Sequence, residues 1–73
     1  MADTKVLSEI TGSVWKVLVK VGDAVEADTP IALLESMKME IPVLAPDEGV
    51  VAEIHVSEGN PVSEGDLIAT LKS

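Results

Sequence analysis

Two segments, GSVWKVLVKVG (Gly12–Gly22) and GVVAEIHVSEG (Gly49–Gly59), decide the fold. They lie 37 residues apart, and the correspondence carries Gly12–Ser36 onto Gly49–Ser73. Nine of those 25 positions are identical, among them Gly12/Gly49, Val14/Val51, Gly22/Gly59, Val25/Val62, Ile31/Ile68 and Leu34/Leu71. Chance supplies a few matches in a valine-rich chain, but not both glycines together with the same irregular step. That step is a gap of three and then two between branched residues: Val14, Val17, Val19 in one copy and Val51, Ile54, Val56 in the other. A gap of three breaks the period of two that a strand requires, so each copy is expected to bulge there.

Working outward, Gly and Pro interrupt the chain so often that the longest stretches without either are 11 residues, Met1–Thr11 and Ile31–Ile41. A helix of ordinary length would have to fill one of them. Val and Ile supply 16 of the 34 apolar residues, and these are stiff at χ1 and suited to a pleated surface. The reading is all-β, with strands near Lys5–Glu9, Gly12–Val19, Ala24–Glu26, Ile31–Ser36, Met39–Leu44, Val50–Val56, Val62–Glu64 and Leu67–Lys72. Two copies of a four-strand unit predict two four-stranded antiparallel sheets, face to face about a quasi-twofold axis. Residues 1–73 form a single domain with no linker.

Composition narrows the function. Phe, Tyr and Cys are absent, so the core is aliphatic and Trp15 is the only large ring. Thirteen acids against five lysines give a net charge of −8, with no arginine. Nucleic acid and anionic membranes are bound through Lys/Arg clusters, so neither is expected as a partner. No apolar run approaches the length of a membrane helix, and no basic start precedes an apolar stretch. A chain without cysteine fits a reducing compartment, and cytoplasmic residence is the expectation. A start at Met1 and the lack of a linker point to a complete small protein, a monomer by itself.

The segment Glu35-Ser36-Met37-Lys38-Met39-Glu40 joins two apolar strands near the midpoint of the repeat. A tight hairpin would ordinarily use Asn-Gly or Asp-Gly, because its turn needs positive φ. Met and Lys do not favour that region, and conflicts of this kind concentrate at functional sites. Adding or subtracting 37 carries Lys38 to the chain ends, so the hairpin and the termini should occupy quasi-equivalent corners at opposite ends. Lys38 is then exposed, with Met37 and Met39 as a half-exposed, adaptable apolar rim around its amine. The ordinary alternative is a solvated turn lysine between two strand-end core methionines.

With these residues in hand the chain resembles the biotinyl/lipoyl carrier domains, from about Val6 to Leu71. The resemblance rests on Gly12-x-Val14, Gly22-Asp23-x-Val25, Glu35-Ser36-Met37-Lys38-Met39, Ala45-Pro46, Gly49-x-Val51, Gly59-x-x-Val62 and Glu64-Gly65-Asp66. It is most similar in length to the free-standing biotin carboxyl carrier, or biotin/lipoyl attachment, type. The resemblance implies a flattened barrel-sandwich hybrid and covalent biotin on Lys38, with Met37 and Met39 as the flanking motif. Lipoyl members usually carry Asp-Lys-Ala at this place, so lipoate is the less favoured cofactor. The commonest biotin pattern has Ala where this chain has Ser36. Implied partners are a biotin protein ligase, a biotin carboxylase, and a carboxyltransferase acting on an acyl-CoA or keto acid. The domain itself would be a non-catalytic carrier. A third alternative is an unmodified lipoyl-like interaction module, which would lack the lysine tip.

The remaining candidates weigh less. Glu35, Ser36 and Glu40 are candidates for recognition by the ligase or a partner, although exposed charges of this kind are as often inert. His55, the only histidine, has no companion cluster and reads as structural or surface. Trp15 matches Ala52, so the repeat does not require it; it reads as a packed or half-exposed ring. No catalytic residue set, phosphate-binding glycine loop or metal-ligand spacing is present.

Overall fold

The computed structural model describes residues 3–72. All regular structure in them is strand: β1 (Asp3–Leu7), β2 (Gly12–Val17), β3 (Ala24–Val25), β4 (Pro30–Ser36), β5 (Met39–Leu44), β6 (Gly49–Ile54), β7 (Pro61–Val62) and β8 (Leu67–Lys72). They form two four-stranded antiparallel sheets, β1-β8-β6-β3 and β5-β4-β2-β7. Reading both orders from the same end pairs β1 with β5, β8 with β4, β6 with β2 and β3 with β7, which is the quasi-twofold relation expected from the repeat.

The core obeys that symmetry. Among the described residues, twelve of the thirteen buried apolar side chains form six pairs 37 apart: Val6/Val43, Val14/Val51, Val25/Val62, Ile31/Ile68, Ala32/Ala69 and Leu34/Leu71. The thirteenth, Ala45, has buried Ser8 as its mate. Because each sheet contributes half of a single core, neither repeat can bury its apolar face alone. The fully buried Ile and Leu side chains each contribute about 1.5–3 kcal/mol on removal from water.

Both copies bulge where the gap of three predicts. Register shifts between Val14 and Lys16 against β4, and between Val51 and Glu53 against β8. A second pair of irregularities brackets Ile31 and Ile68, again 37 residues apart.

Strand ends differ from the expectation where side chains take over backbone partners. β1 spans Asp3–Leu7 and not Lys5–Glu9, because Ser8 Oγ donates to the Ile10 carbonyl (2.6 Å) and accepts from the Ile10 N–H (3.3 Å), starting a turn. β3 stops before Glu26, whose N–H donates to Thr29 Oγ1 at 3.0 Å. β7 spans Pro61–Val62, because the Ser63 N–H donates to Asp66 Oδ2 at 2.8 Å. β2 and β6 end two residues early, at Val17 and Ile54. Beyond them Leu18 and His55 still donate to the Ile31 and Ile68 carbonyls, both at 2.9 Å.

The expectation that the chain ends lie opposite the hairpin concerns Met1, Ala2 and Ser73, which lie outside the described residues. The nearest described pair, Asp3–Lys72, is the quasi-equivalent of Glu40–Glu35 beside the hairpin tip.

Candidate functional site

The β4–β5 pairing runs through Leu33–Pro42, Leu34–Ile41, Glu35–Glu40 and Ser36–Met39, leaving Met37 and Lys38 as a two-residue turn. Both turn residues have positive φ, 50° at Met37 and 67° at Lys38. Positive φ at both central positions is the type I′ pattern, whose twist matches that of the flanking strands. In the left-handed region each residue with a Cβ costs about 1 kcal/mol, and the paired strands sustain that cost. The conflict read from the sequence is therefore present in the backbone.

The side chains around the tip are open to solvent. Lys38, Glu35 and Glu40 are exposed, and Met37 and Met39 keep 92% and 63% of their surface accessible. That corrects the expected half-exposed rim: Met37 projects past the last strand pair, and Met39 lies in that pair at the end of an edge strand, so little covers either. Nor are the methionines strand-end core. Glu35 and Glu40 face each other directly, two like charges on one register position.

Ser36 differs from its neighbours. It is half-buried, and its Oγ donates to the Thr11 carbonyl at 3.1 Å, tying the hairpin to the turn before β2. Nothing in the sequence singles out Thr11, whose Oγ1 also accepts from the Glu64 N–H at 3.3 Å. Gly12 completes the anchor. A Cβ there would run into the Glu35 carbonyl oxygen, so the absent side chain lets β2 lie close against the hairpin strand. Gly49 does the same for the Lys72 carbonyl, 2.8 Å from where its Cβ would lie. The repeat marked both glycines; it gave no sign of Thr11.

The residues set aside have structural explanations. His55 Nε2 lies 3.0 Å from Thr70 Oγ1, a side-chain hydrogen bond on the outer face of one sheet. Trp15 sits at the β2 bulge, 44% exposed, with Lys16 Nζ 5.4 Å from its ring centroid. Among the described residues no three His, Asp or Glu side chains converge on a point that would hold a metal ion.

This geometry offers one primary amine on a rigid tip, clear of obstructing side chains, which is what acylation at a single lysine needs. The comparisons with known proteins agree in kind. Residues 5–71 match the family model described as biotin-requiring enzyme. The biotin/lipoyl attachment protein of Bacillus subtilis is 46% identical over 65 residues, covering 89% of each chain. The biotin carboxyl carrier protein of Streptococcus mutans is 47% identical over 60 residues, 82% of this chain and 46% of that one. Among solved structures, the urea carboxylase of Kluyveromyces lactis superposes with a TM-score of 0.93 at 38% identity, covering 99% of this chain and 6% of that much longer one. The chain belongs to the biotin/lipoyl attachment family.

Proposed function

We propose that this chain is a biotin carboxyl carrier, modified on Lys38 by a biotin protein ligase and serving a biotin carboxylase and a carboxyltransferase. The observation that carries the reading is the strained Met37-Lys38 turn, which holds an exposed amine in a conformation that the local sequence does not favour. The resemblance of the whole chain to a carboxyl carrier and to part of a urea carboxylase supports it.

The residues present fit a covalently attached acyl group. Lys38 Nζ, in its neutral form, attacks the carbonyl carbon of an activated carboxylate; a C–N bond forms, the activating group leaves, and the nitrogen sheds its proton. The amide removes one positive charge, taking the chain from −8 to −9. Biotin so attached supplies a nitrogen that carries a carboxyl group from one active site to another. Met37 and Met39 flank the amide with soft apolar surface that a partner's pocket can cover. Ser36 and Gly12 hold the tip still, so that Lys38 is chosen by its position among five lysines. Tethering then raises the local concentration of the carried group at a partner's site, to the millimolar range when the reach is suitable.

The acceptor is an acyl-CoA or a keto acid in this reading, and the domain performs no chemistry after it is loaded. Lipoylation for an oxo-acid dehydrogenase-type complex is the second reading, favoured by the likeness to a protein named for both attachments. Intact mass after co-expression with a biotin protein ligase, followed by fragment mapping, tests the proposal. One biotinyl amide on Lys38, lost in Lys38→Arg, is the expected result. A lipoyl mass supports the second reading. A folded chain left unmodified by an active biotin ligase overturns the first reading, and one also left unmodified by an active lipoate ligase overturns both and leaves an interaction module.

A further inference from the structure

The quasi-twofold axis gives each position an internal control. Side chains that the fold requires recur 37 residues away, as the core does. One strip on the outer face of the sheet bearing Lys38 does not recur. Leu33 on β4 points outward, because its neighbours Ala32 and Leu34 are fully buried. Pro42 lies opposite it on β5, and Trp15 and Lys16 bulge outward beside it on β2. Leu18, 45% exposed, continues the strip past the end of β2. The residues 37 away on the other sheet are Thr70, which is buried, Lys5, Ala52, Glu53 and His55. Where one sheet carries Leu33, Pro42, Trp15 and Leu18, the other carries Thr70, Lys5, Ala52 and His55, and its exposed apolar side chains, Leu7 and Val50, lie on other strand positions. The second sheet folds without the strip, so the fold does not require it.

The strip leads into the hairpin. On the same outer face, the next β4–β5 pair after Leu33–Pro42 is Glu35–Glu40, and the tip follows. Like charges directly opposite each other are unfavourable. The quasi-equivalent pair, Lys72–Asp3, carries opposite charges, so the acidic pair is a property of this face and not of the fold. A cationic partner surface relieves it. An exposed ring in a chain with no other aromatic residue is the kind of anchor that dominates binding at protein interfaces.

We infer that the enzyme that forms the amide on Lys38 docks on this face, seating Trp15 and Leu33 in an apolar recess and setting a cationic group against Glu35 and Glu40. The inference rests on the reading of Lys38 as the modified lysine. Amide formation takes place at Nζ itself, so that enzyme covers the surroundings of the hairpin. Later partners are reached by a group on an extended arm and have no need of the strip. Docking also shields Lys16, which lies within the strip, and leaves Lys38 as the amine presented to the active site.

The test uses the one indole of the chain. A 15N-labelled Lys38→Arg carrier, which binds without reacting, is titrated with unlabelled biotin protein ligase loaded with biotinyl-adenylate. The Trp15 indole N–H signal should shift or broaden together with the Glu35 and Met39 amides, while the Ala52 and Thr70 amides stay in place. In steady-state biotinylation, Trp15→Ala and Leu33→Thr, which install the type of residue found on the other sheet, should each raise the KM for the carrier about tenfold with kcat unchanged. Ala52→Ser should stay within about twofold. A stationary indole signal, or an unchanged KM in variants still labelled on Lys38, overturns the inference. If a variant fails to fold, the titration decides. No label on the wild-type chain from an active ligase overturns the reading of Lys38, and this inference with it.

Discussion

Ser36 and Thr11, 25 residues apart in sequence, are joined by a hydrogen bond from Ser36 Oγ to the Thr11 carbonyl at 3.1 Å. Among the described residues it is the one side-chain bond that ties the Lys38 hairpin to the neighbouring turn. Ser36→Ala should lower stability by about 0.5–1 kcal/mol, since the bond is partly open to water. The local effect should exceed the global one. Hydrogen exchange at the Met39 amide should accelerate more than exchange at Leu34, and equal acceleration would mean that the bond does not restrain the tip.

Gly12 and Gly49 are both predicted to be intolerant of a side chain. A Cβ at either would strike a carbonyl of the neighbouring strand, Glu35 or Lys72, and backbone cannot move aside cheaply. Gly12→Ala and Gly49→Ala should each cost about 1–3 kcal/mol, read as lower urea midpoints. Only Gly12→Ala should also slow modification of Lys38, because only it displaces the hairpin strand.

The turn stores strain that a better turn sequence would release. Replacing Met37-Lys38 by Asn-Gly places residues that accept positive φ at both central positions. The gain should be about 1 kcal/mol, equivalent to a rise in Tm of about 5 °C in a domain of this size. The same variant loses the amine and all labelling. An unchanged or lower Tm would show that the flanking strands impose no strain at these positions.

The methionines should matter to the modifying enzyme and not to the fold. Both are largely exposed, so Met37→Asp with Met39→Ala should leave the thermal midpoint close to wild type. Biotinylation kcat/KM should fall about tenfold through loss of apolar contact area. A ligase indifferent to the change would assign the methionines to another partner or to none.

Much of this architecture is legible in the sequence because the core is built twice. A repeat of 37 exposes the two-sheet arrangement, and the three-then-two valine spacing exposes both bulges before any pairing is known. The strand ends near Ser8, Glu26 and Ser63 are not legible, since they depend on side-chain oxygens capturing single amides. The match of Val6 to Val43 and Leu7 to Leu44 is also hidden: it relates β1 to β5 across the repeat boundary, where identities are few. At the site, Lys38 stands out through the mismatch between Met-Lys and the turn it occupies. The Pro42, Leu33 and Trp15 strip emerges only with the register, because those residues come from three strands and look unrelated along the chain.

A turn of two residues between paired strands has no slack. The amine at its tip cannot sweep through space by loop motion, as it would on a long disordered arm. In the proposed role, travel between distant sites comes from displacement of the whole body, about 36 Å along its longest axis, with the lysine side chain and its cargo covering only the final approach. In that role the domain is a post carried about by whatever it diffuses with or is joined to.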